Sequence, residues 1–387
     1  MKRLLVYSHD TYGLGNIRRM LSICTYLIEN FQDLSILVIS SSPMIHALQV
    51  PNRLDYLKLP CLTRSREEGY AVKYLGTDIE ETIKLRARLI RSAVESFKPE
   101  LFLVDKKPFG INNELEDTLK HIKSHLPETR IVLLLRDILD RPEATIKTWE
   151  KQRYFKIIEH FYDRVLIVGT PEVFNVIQEY RFPEAAAEKV RFCGYIERER
   201  GRKTRETLRK ELGLRDEPLV LVTPGGGQDG YRLLETYIAS LPLIPRGVKS
   251  LVISGPEMPE HQKHDLSEAM LRHENLKVLE FTDDMMGYMN AADVVVSMGG
   301  YNTVCEILTL KKRAIVVPRV KPVEEQAIRA ERMARLNLFR TIHPDHLNPK
   351  ALTSVLREEL EAEAARALSA HLDMGALPKI TKLLATL

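Results

Sequence analysis

The sequence predicts an α/β protein of two similarly built halves with a cleft between them, and three observations predict it. Short apolar runs alternate with amphipathic stretches, the alternation restarts after about residue 200, and each half opens with a strand followed by a glycine-rich turn: "YGLGN" in the first, "PGGGQDG" in the second. Alternating strands and helices fold as parallel sheets covered by helices. A chain of 387 residues also exceeds the size at which one core keeps growing.

In the first half the strand candidates are "RLLVYS", "LSILVIS", "DYLKL", "LFLVD", "RIVLLLR" and "RVLIVG". Most are continuously apolar, as strands covered on both faces should be. The clearest helix between them carries Ile17, Met20, Leu21, Cys24, Leu27, Ile28 and Phe31 on one stripe. In the second half "PLVLVT", "KSLVIS", "LKVLEF", "DVVVS" and "RAIVVP" alternate with helices beginning near Gly230, Pro259, Asp284, Asn302 and Glu324. The division is expected in the charged stretch after "RFCGY". That makes 1–197 a first domain, 198–370 a second domain, and 371–387 a helix packing back on the first.

Composition excludes several function classes. Hydrophobic residues at 44% and charged residues at 28% are ordinary for a globular protein. A net charge of +4 is too mild to argue for a nucleic-acid partner. The basic run from Glu197 to Leu212 reads as a solvated linker and helix face, with an anionic membrane surface as the alternative. Cys24, Cys61, Cys193 and Cys305 lie far apart without a C-x-x-C pair, which points to reduced thiols in a cytosolic protein. The apolar run after Met1-Lys2-Arg3 ends at Ser8, too short for a signal core, and "IVLLL" is far below the ~20 residues of a membrane span. A cytoplasmic protein is expected, any membrane contact being peripheral and on the inner face.

Ligands of such sheets sit outside the carboxyl ends of the strands. There, Gly225, Gly226 and Gly227 let backbone approach closely, and the amides of the following helix point at one spot, which makes a phosphate cradle. Asp229-Gly230 stand where a Walker loop has Lys-Ser/Thr, so an NTPase is disfavoured. The spacing Gly13-x-Gly15 lacks a third glycine at Arg18, and the next strand ends in Ser40-Ser41-Ser42 without a ribose-binding carboxylate. A nicotinamide enzyme is disfavoured too. Further on, Gly299-Gly300 open a helix carrying Glu306 one turn in, where a carboxylate accepts bonds from vicinal hydroxyls of a sugar. Asp283-Asp284 reads as a helix cap pair, not a metal site.

Taken in order, "GGGQDGYRLLETYI", "EFTDDM", "AADVVVSMGGYNTVCEI" and "VVPRVKPVEEQAIRAERM" resemble the MurG-like glycosyltransferases, and the "GLGN" turn extends the likeness more loosely into the first half. That family includes the enzyme adding N-acetylglucosamine to a lipid-linked muramyl peptide. The resemblance implies the GT-B fold, two Rossmann-like doubly wound domains facing a cleft, and transfer of a hexose or N-acetylhexosamine from a UDP-sugar without a cofactor. It places Arg198, Gly226, Gly227 and Gln228 on the diphosphate, Thr282 on the base, Asn302 and Thr303 near the phosphates, Glu306 on the ribose, and Glu325 and Gln326 on the donor sugar. The partners it implies are a nucleotide sugar and a small-molecule or lipid-linked acceptor.

Two positions depart from the family pattern. Asn16 replaces the histidine after the first glycine turn, and an amide cannot act as a general base. Glu325-Gln326 replaces Gln-Gln. Position 298 is Met where retaining relatives of this fold carry a carboxylate, so an inverting, metal-independent displacement is expected. The base candidates are His9, Asp10 and Asp137 at strand ends, Asp137 standing beside Arg136, with Asp105 next in line. Gly13 and Gly15 would let backbone approach the sugar and acceptor, and Asn16 would orient them. A UDP-sugar epimerase and a catalytically silent nucleotide-sugar binder are the alternatives.

Overall fold

The computed structural model describes residues 1–10, 15–48, 50–64, 69–362 and 372–387, and it divides into two compact units. The first comprises Met1–Tyr195 with Gly375–Leu387, the second Ile196–Met374. Sequence had set these divisions after residues 197 and 370.

The first unit runs β1 (Arg3–Ser8), α1 (Gly15–Asn30), β2 (Ser35–Ser40), β3 (Leu54–Lys58), β4 (Leu62–Arg64), β5 (Tyr70–Val72), α2 (Ile79–Phe97), β6 (Leu101–Asp105), α3 (Glu116–His125) and β7 (Arg130–Arg136). It continues with α4 (Pro142–Lys151), α5 (Tyr154–Phe161), β8 (Arg164–Val168), α6 (Val176–Glu179), α7 (Glu184–Ala187) and β9 (Val190–Phe192). Seven strands form one parallel sheet in the order β3-β2-β1-β6-β7-β8-β9. The order reverses between β1 and β6, where Val6 pairs with Val38 on one side and Leu103 on the other. The strands are buried because they are apolar on both faces: every residue of β6 is buried, as are Ile131 to Leu135 of β7.

In the second unit the order is α8 (Arg205–Glu211), β10 (Leu219–Thr223), α9 (Tyr231–Ser240), β11 (Lys249–Ile253), α10 (Glu260–Arg272), β12 (Leu276–Leu279), α11 (Met285–Ala291) and β13 (Val294–Ser297). Then come α12 (Tyr301–Leu310), β14 (Arg313–Val316), α13 (Glu325–Arg335), β15 (Arg340–Thr341) and α14 (Pro349–Glu361). Its six-stranded parallel sheet has the order β12-β11-β10-β13-β14-β15 and reverses between β10 and β13. Val222, Val252, Leu234, Val296 and Leu352 lie in its core. The last helix, α15 (Ala376–Ala385), belongs to the first unit; it buries Ala376, Ile380 and Leu384 and packs on α1.

Every strand expected from the sequence is present, and the second-unit helices begin within one residue of their expected starts. Three features go beyond the expectation: β9, β15 and the antiparallel β4-β5 hairpin. Each of these strands has two or three residues, too few for a period to show. On α1 the expected stripe is buried from Ile17 to Ile28, while Phe31 lies just past the helix end and is half-buried.

Candidate functional site

In the second unit, the loop after β10 is shaped by its glycines. Gly225 has φ +85° and Gly227 φ +98°, the left-handed region that L side chains avoid. A Cβ on Gly227 would run into the Ser254 carbonyl oxygen beyond β11, and Gly255, itself at φ +90°, fits against Gly225 and Gly226 in the same way. Two tight loops thus interlock, and the Glu257 amide donates to the Gly226 carbonyl at 2.9 Å. Gly226 and Gln228 remain exposed.

The second element is the start of α12. Gly300 is its N-cap without a side-chain cap bond, and nothing lies within 4 Å of where a Gly300 Cβ would be. Thr303 Oγ1 lies 3.9 Å from the Cβ position of Gly225, which brings the glycine loop and this helix start together. Asn302, Thr303 and Glu306 are half-buried on this helix, and Arg198 donates from Nη2 to Asn302 Oδ1 at 2.5 Å while its amide donates to Thr309 Oγ1 at 3.0 Å. Positive charge, the amino end of α12 and a glycine-lined backbone converge at the carboxyl ends of β10 and β13, where the strand order reverses.

Sequence reasoning passed over the residues that brace this arrangement. Arg319 donates from Nη1 to Asp229 Oδ2 at 3.0 Å, lies 3.7 Å from Glu325 Oε1 through Nη2, and its amide donates to Gln326 Oε1 at 3.1 Å. Glu325 and Gln326 are both buried, and one arginine ties them to the glycine-rich loop. Arg329, fully buried, donates to the Gly299 carbonyl at 2.8 Å and stands 5.7 Å from the Tyr301 ring centre. Arg319 lies inside the "VVPRVKPVEEQ" motif, so its position was visible; the inward face of Arg329 was not. Ser297, at the end of β13, has a buried hydroxyl without a partner among the described residues.

Asp284 caps α11 through the Gly287 amide at 3.2 Å and also accepts the Arg202 and Lys203 amides at 3.0 Å each. Asp283 pairs with Arg202, which holds its carboxyl below the usual carboxylate range. Thr282, half-buried, accepts the Asp284 amide on Oγ1 at 3.0 Å.

In the first unit, His9 and Asp10 follow β1 at its reversal point. His9 is fully buried, and neither ring nitrogen has a hydrogen-bond partner among the described residues. Burial, followed by the positive charges of Lys106, Lys107, Arg86 and Arg136, lowers its pKa well below that of a free histidine, so the ring is neutral. Asp10 accepts from Ser40 Oγ at 2.6 Å, and burial raises its pKa to about 6. Asn16 donates to the His9 carbonyl, and Arg19 joins Asn16 at 3.4 Å to Asp105 at 2.7 Å in a buried ion pair. Gly15 opens α1; Gly13 lies outside the described residues.

Asp137, one of the sequence's base candidates, is held by structural hydrogen bonds. It is fully buried, Oδ1 accepts the Ile138 amide at 2.8 Å and Oδ2 the Tyr195 hydroxyl at 2.9 Å. Gly169 lies against it so closely that a Cβ there would collide with Asp137. A carboxylate with both oxygens engaged by hydrogen bonds is poorly placed to take a proton from a substrate. Its neighbour Arg136 is half-buried at the end of β7.

Residues 219–377 match the family model "Glycosyltransferase family 28 C-terminal domain". An uncharacterized glycosyltransferase of Methanopyrus kandleri is 24% identical over 53% of this chain and 56% of its own length. The chain thus spans about half the length of the curated relatives it matches first. Alignment with the UDP-N-acetylglucosamine--N-acetylmuramyl-(pentapeptide) pyrophosphoryl-undecaprenol N-acetylglucosamine transferase of Caldicellulosiruptor saccharolyticus, also 24% identical, covers 81% of this chain and 77% of the relative. Among solved structures, Acinetobacter baumannii MurG superimposes with a TM-score of 0.64 at 14% identity, covering both chains in full. The second unit carries the family 28 C-terminal domain, and the whole chain has the GT-B fold.

Proposed function

We propose that this protein transfers a hexose or N-acetylhexosamine from a UDP-sugar to an acceptor hydroxyl with inversion and without a metal ion. The observation that carries this proposal is the meeting of the Gly225–Gly227 loop with the start of α12 beside Arg198. When the acceptor oxygen bonds to the anomeric carbon, the bond to the diphosphate breaks and negative charge grows on the leaving UDP. Fixed amides, Arg198 and the α12 dipole are suited to that charge. Glu306 takes the ribose hydroxyls, and Glu325 and Gln326, braced by Arg319, take hydroxyls of the sugar. The carboxylates of Asp283 and Asp284 are engaged by Arg202 and by backbone amides, which supports charge stabilisation by the protein itself.

For the base we propose His9, a neutral imidazole whose ring nitrogens have no partner among the described residues and whose carbonyl Asn16 anchors, with Asp10 as the second candidate. A lipid-linked acceptor is supported by the relatives' transfer to an undecaprenol-linked substrate and by Tyr74, Leu75 and Leu85, exposed on the first unit in a stretch that also holds Lys73, Lys84 and Arg88. No described helix is long and apolar enough to cross a membrane, so contact with such an acceptor would be peripheral.

The test is a thermal-shift screen of UDP-, GDP-, ADP- and dTDP-sugars, followed by measurement of UDP release in EDTA with lipid-linked acceptors. Stabilisation by UDP-sugars and acceptor-dependent UDP release in EDTA are expected. Turnover lost in EDTA and restored by Mg²⁺ or Mn²⁺ would sink metal independence. Saturable donor binding with no release would point to a silent binder, and a converted UDP-sugar without transfer to an epimerase.

A further inference from the structure

Beyond Arg198, the basic run lines a cavity. It lies at the amino ends of the second-unit strands, opposite the glycine-rich loop, with a volume of about 360 Å³. Its walls include Arg205 and Arg209 of α8, Arg215 in the turn before β10, and Arg313 at the start of β14, set against Asp216 and Asp293. Three of the arginines are locked in place. Arg205 donates to the carbonyls of Asn290, Ala291 and Ala292 at the end of α11 and to Asp293 at 2.6 Å. Arg209 reaches Asp293 at 3.4 Å and the Glu217 carbonyl at 2.6 Å, and Arg313 the Glu359 and Ala362 carbonyls at 2.6 and 2.7 Å. The Arg215 side chain is exposed and has no hydrogen-bond partner among the described residues.

We propose that this cavity binds a phosphate dianion, free or carried on a phospholipid headgroup, gripped by Arg215 and Arg313 in front of the fixed guanidinium groups of Arg205 and Arg209. Planar guanidinium forks match phosphate oxygens in pairs, and groups already held by carbonyls lose little freedom on binding. Four arginines against two carboxylates leave an excess of positive charge. Beside it, burial first and then the charge of Arg205, partly offset by Asp293 and joined by Arg313 and Arg209, lower the Lys312 pKa to about 8 although its ammonium donates to the Asn290 and Ala292 carbonyls. A bound dianion would neutralise the excess that the protein's own carboxylates leave.

Calorimetric titration of the full chain with inorganic phosphate, in dilute chloride buffer and with UDP present in excess to fill the glycine-rich loop, tests the proposal. Saturable binding is expected, weakened at least tenfold by Arg215→Glu and by Arg313→Gln; Arg215→Glu alters an exposed side chain, so its melting temperature without phosphate should match wild type. Co-sedimentation with phosphatidic acid vesicles against phosphatidylcholine vesicles separates the two sources. Vesicle binding that Arg215→Glu abolishes, without binding of free phosphate, assigns the headgroup, and binding of free phosphate assigns the soluble anion. Absence of both, or binding that Arg215→Glu leaves unchanged, overturns the proposal.

Discussion

Asp10 carries a pH signature of its own. Burial raises its pKa from 3.8 to about 6, so the folded protein holds this proton more tightly than the unfolded chain. Stability from this group is fully present below pH 3.8 and is lost as pH rises through about 6, leaving a penalty on the order of 2–3 kcal/mol at neutral pH. Asp10→Asn, whose amide oxygen can still accept from Ser40, is therefore expected to raise the melting temperature relative to wild type at pH 7, with the gain vanishing near pH 4. Melting curves across that range check it. For the proton transfer, His9→Ala should lower UDP release on the order of 10²–10⁴-fold with donor affinity intact, whereas Asp137→Asn should stay within about tenfold of wild type. Asn16→His should change the rate only modestly, because its present role is to hold the His9 carbonyl. The opposite ranking of His9 and Asp137 would return the base to the end of β7.

At the scale of elements, the glycine-rich loop works through interlocked backbone. Gly227→Ala places a Cβ at φ +98° against the Ser254 carbonyl, so the loop must shift. UDP affinity is expected to fall at least tenfold with a loss of stability of about 1–3 kcal/mol, measured by titration and by denaturant unfolding. This loop was legible in the sequence because three successive glycines between a strand and a helix have few other uses. The same holds for the long strands, whose apolar runs reveal burial on both faces. What the sequence hid were contacts between distant positions: Arg319 reaching Asp229, Arg329 turned inward onto Gly299, and Tyr195 closing off Asp137. Each is a polar side chain that periodicity reads as surface or strand end, and only tertiary packing decides otherwise.

In the whole molecule, the chain leaves the first unit at Tyr195 and returns to it at Gly375. The first unit is thus completed by the last residues of the chain, and α15 covers α1 with Ile380 and Leu384. Removing residues 375–387 is expected to cost the first unit about 3–6 kcal/mol, the burial value of two large aliphatic side chains. UDP binding by the second unit should persist, which differential scanning calorimetry with and without UDP would show as a ligand shift on one transition only. The central claim is that the second unit holds a uridine diphosphate at the meeting of its glycine-rich loop and α12. Calorimetric titration with UDP in EDTA, on wild type and Glu306→Ala, tests it most directly. Saturable binding that the variant weakens by roughly 5- to 150-fold, equivalent to about 1–3 kcal/mol, is the predicted result; no binding by wild type, or equal binding by both proteins, would contradict it.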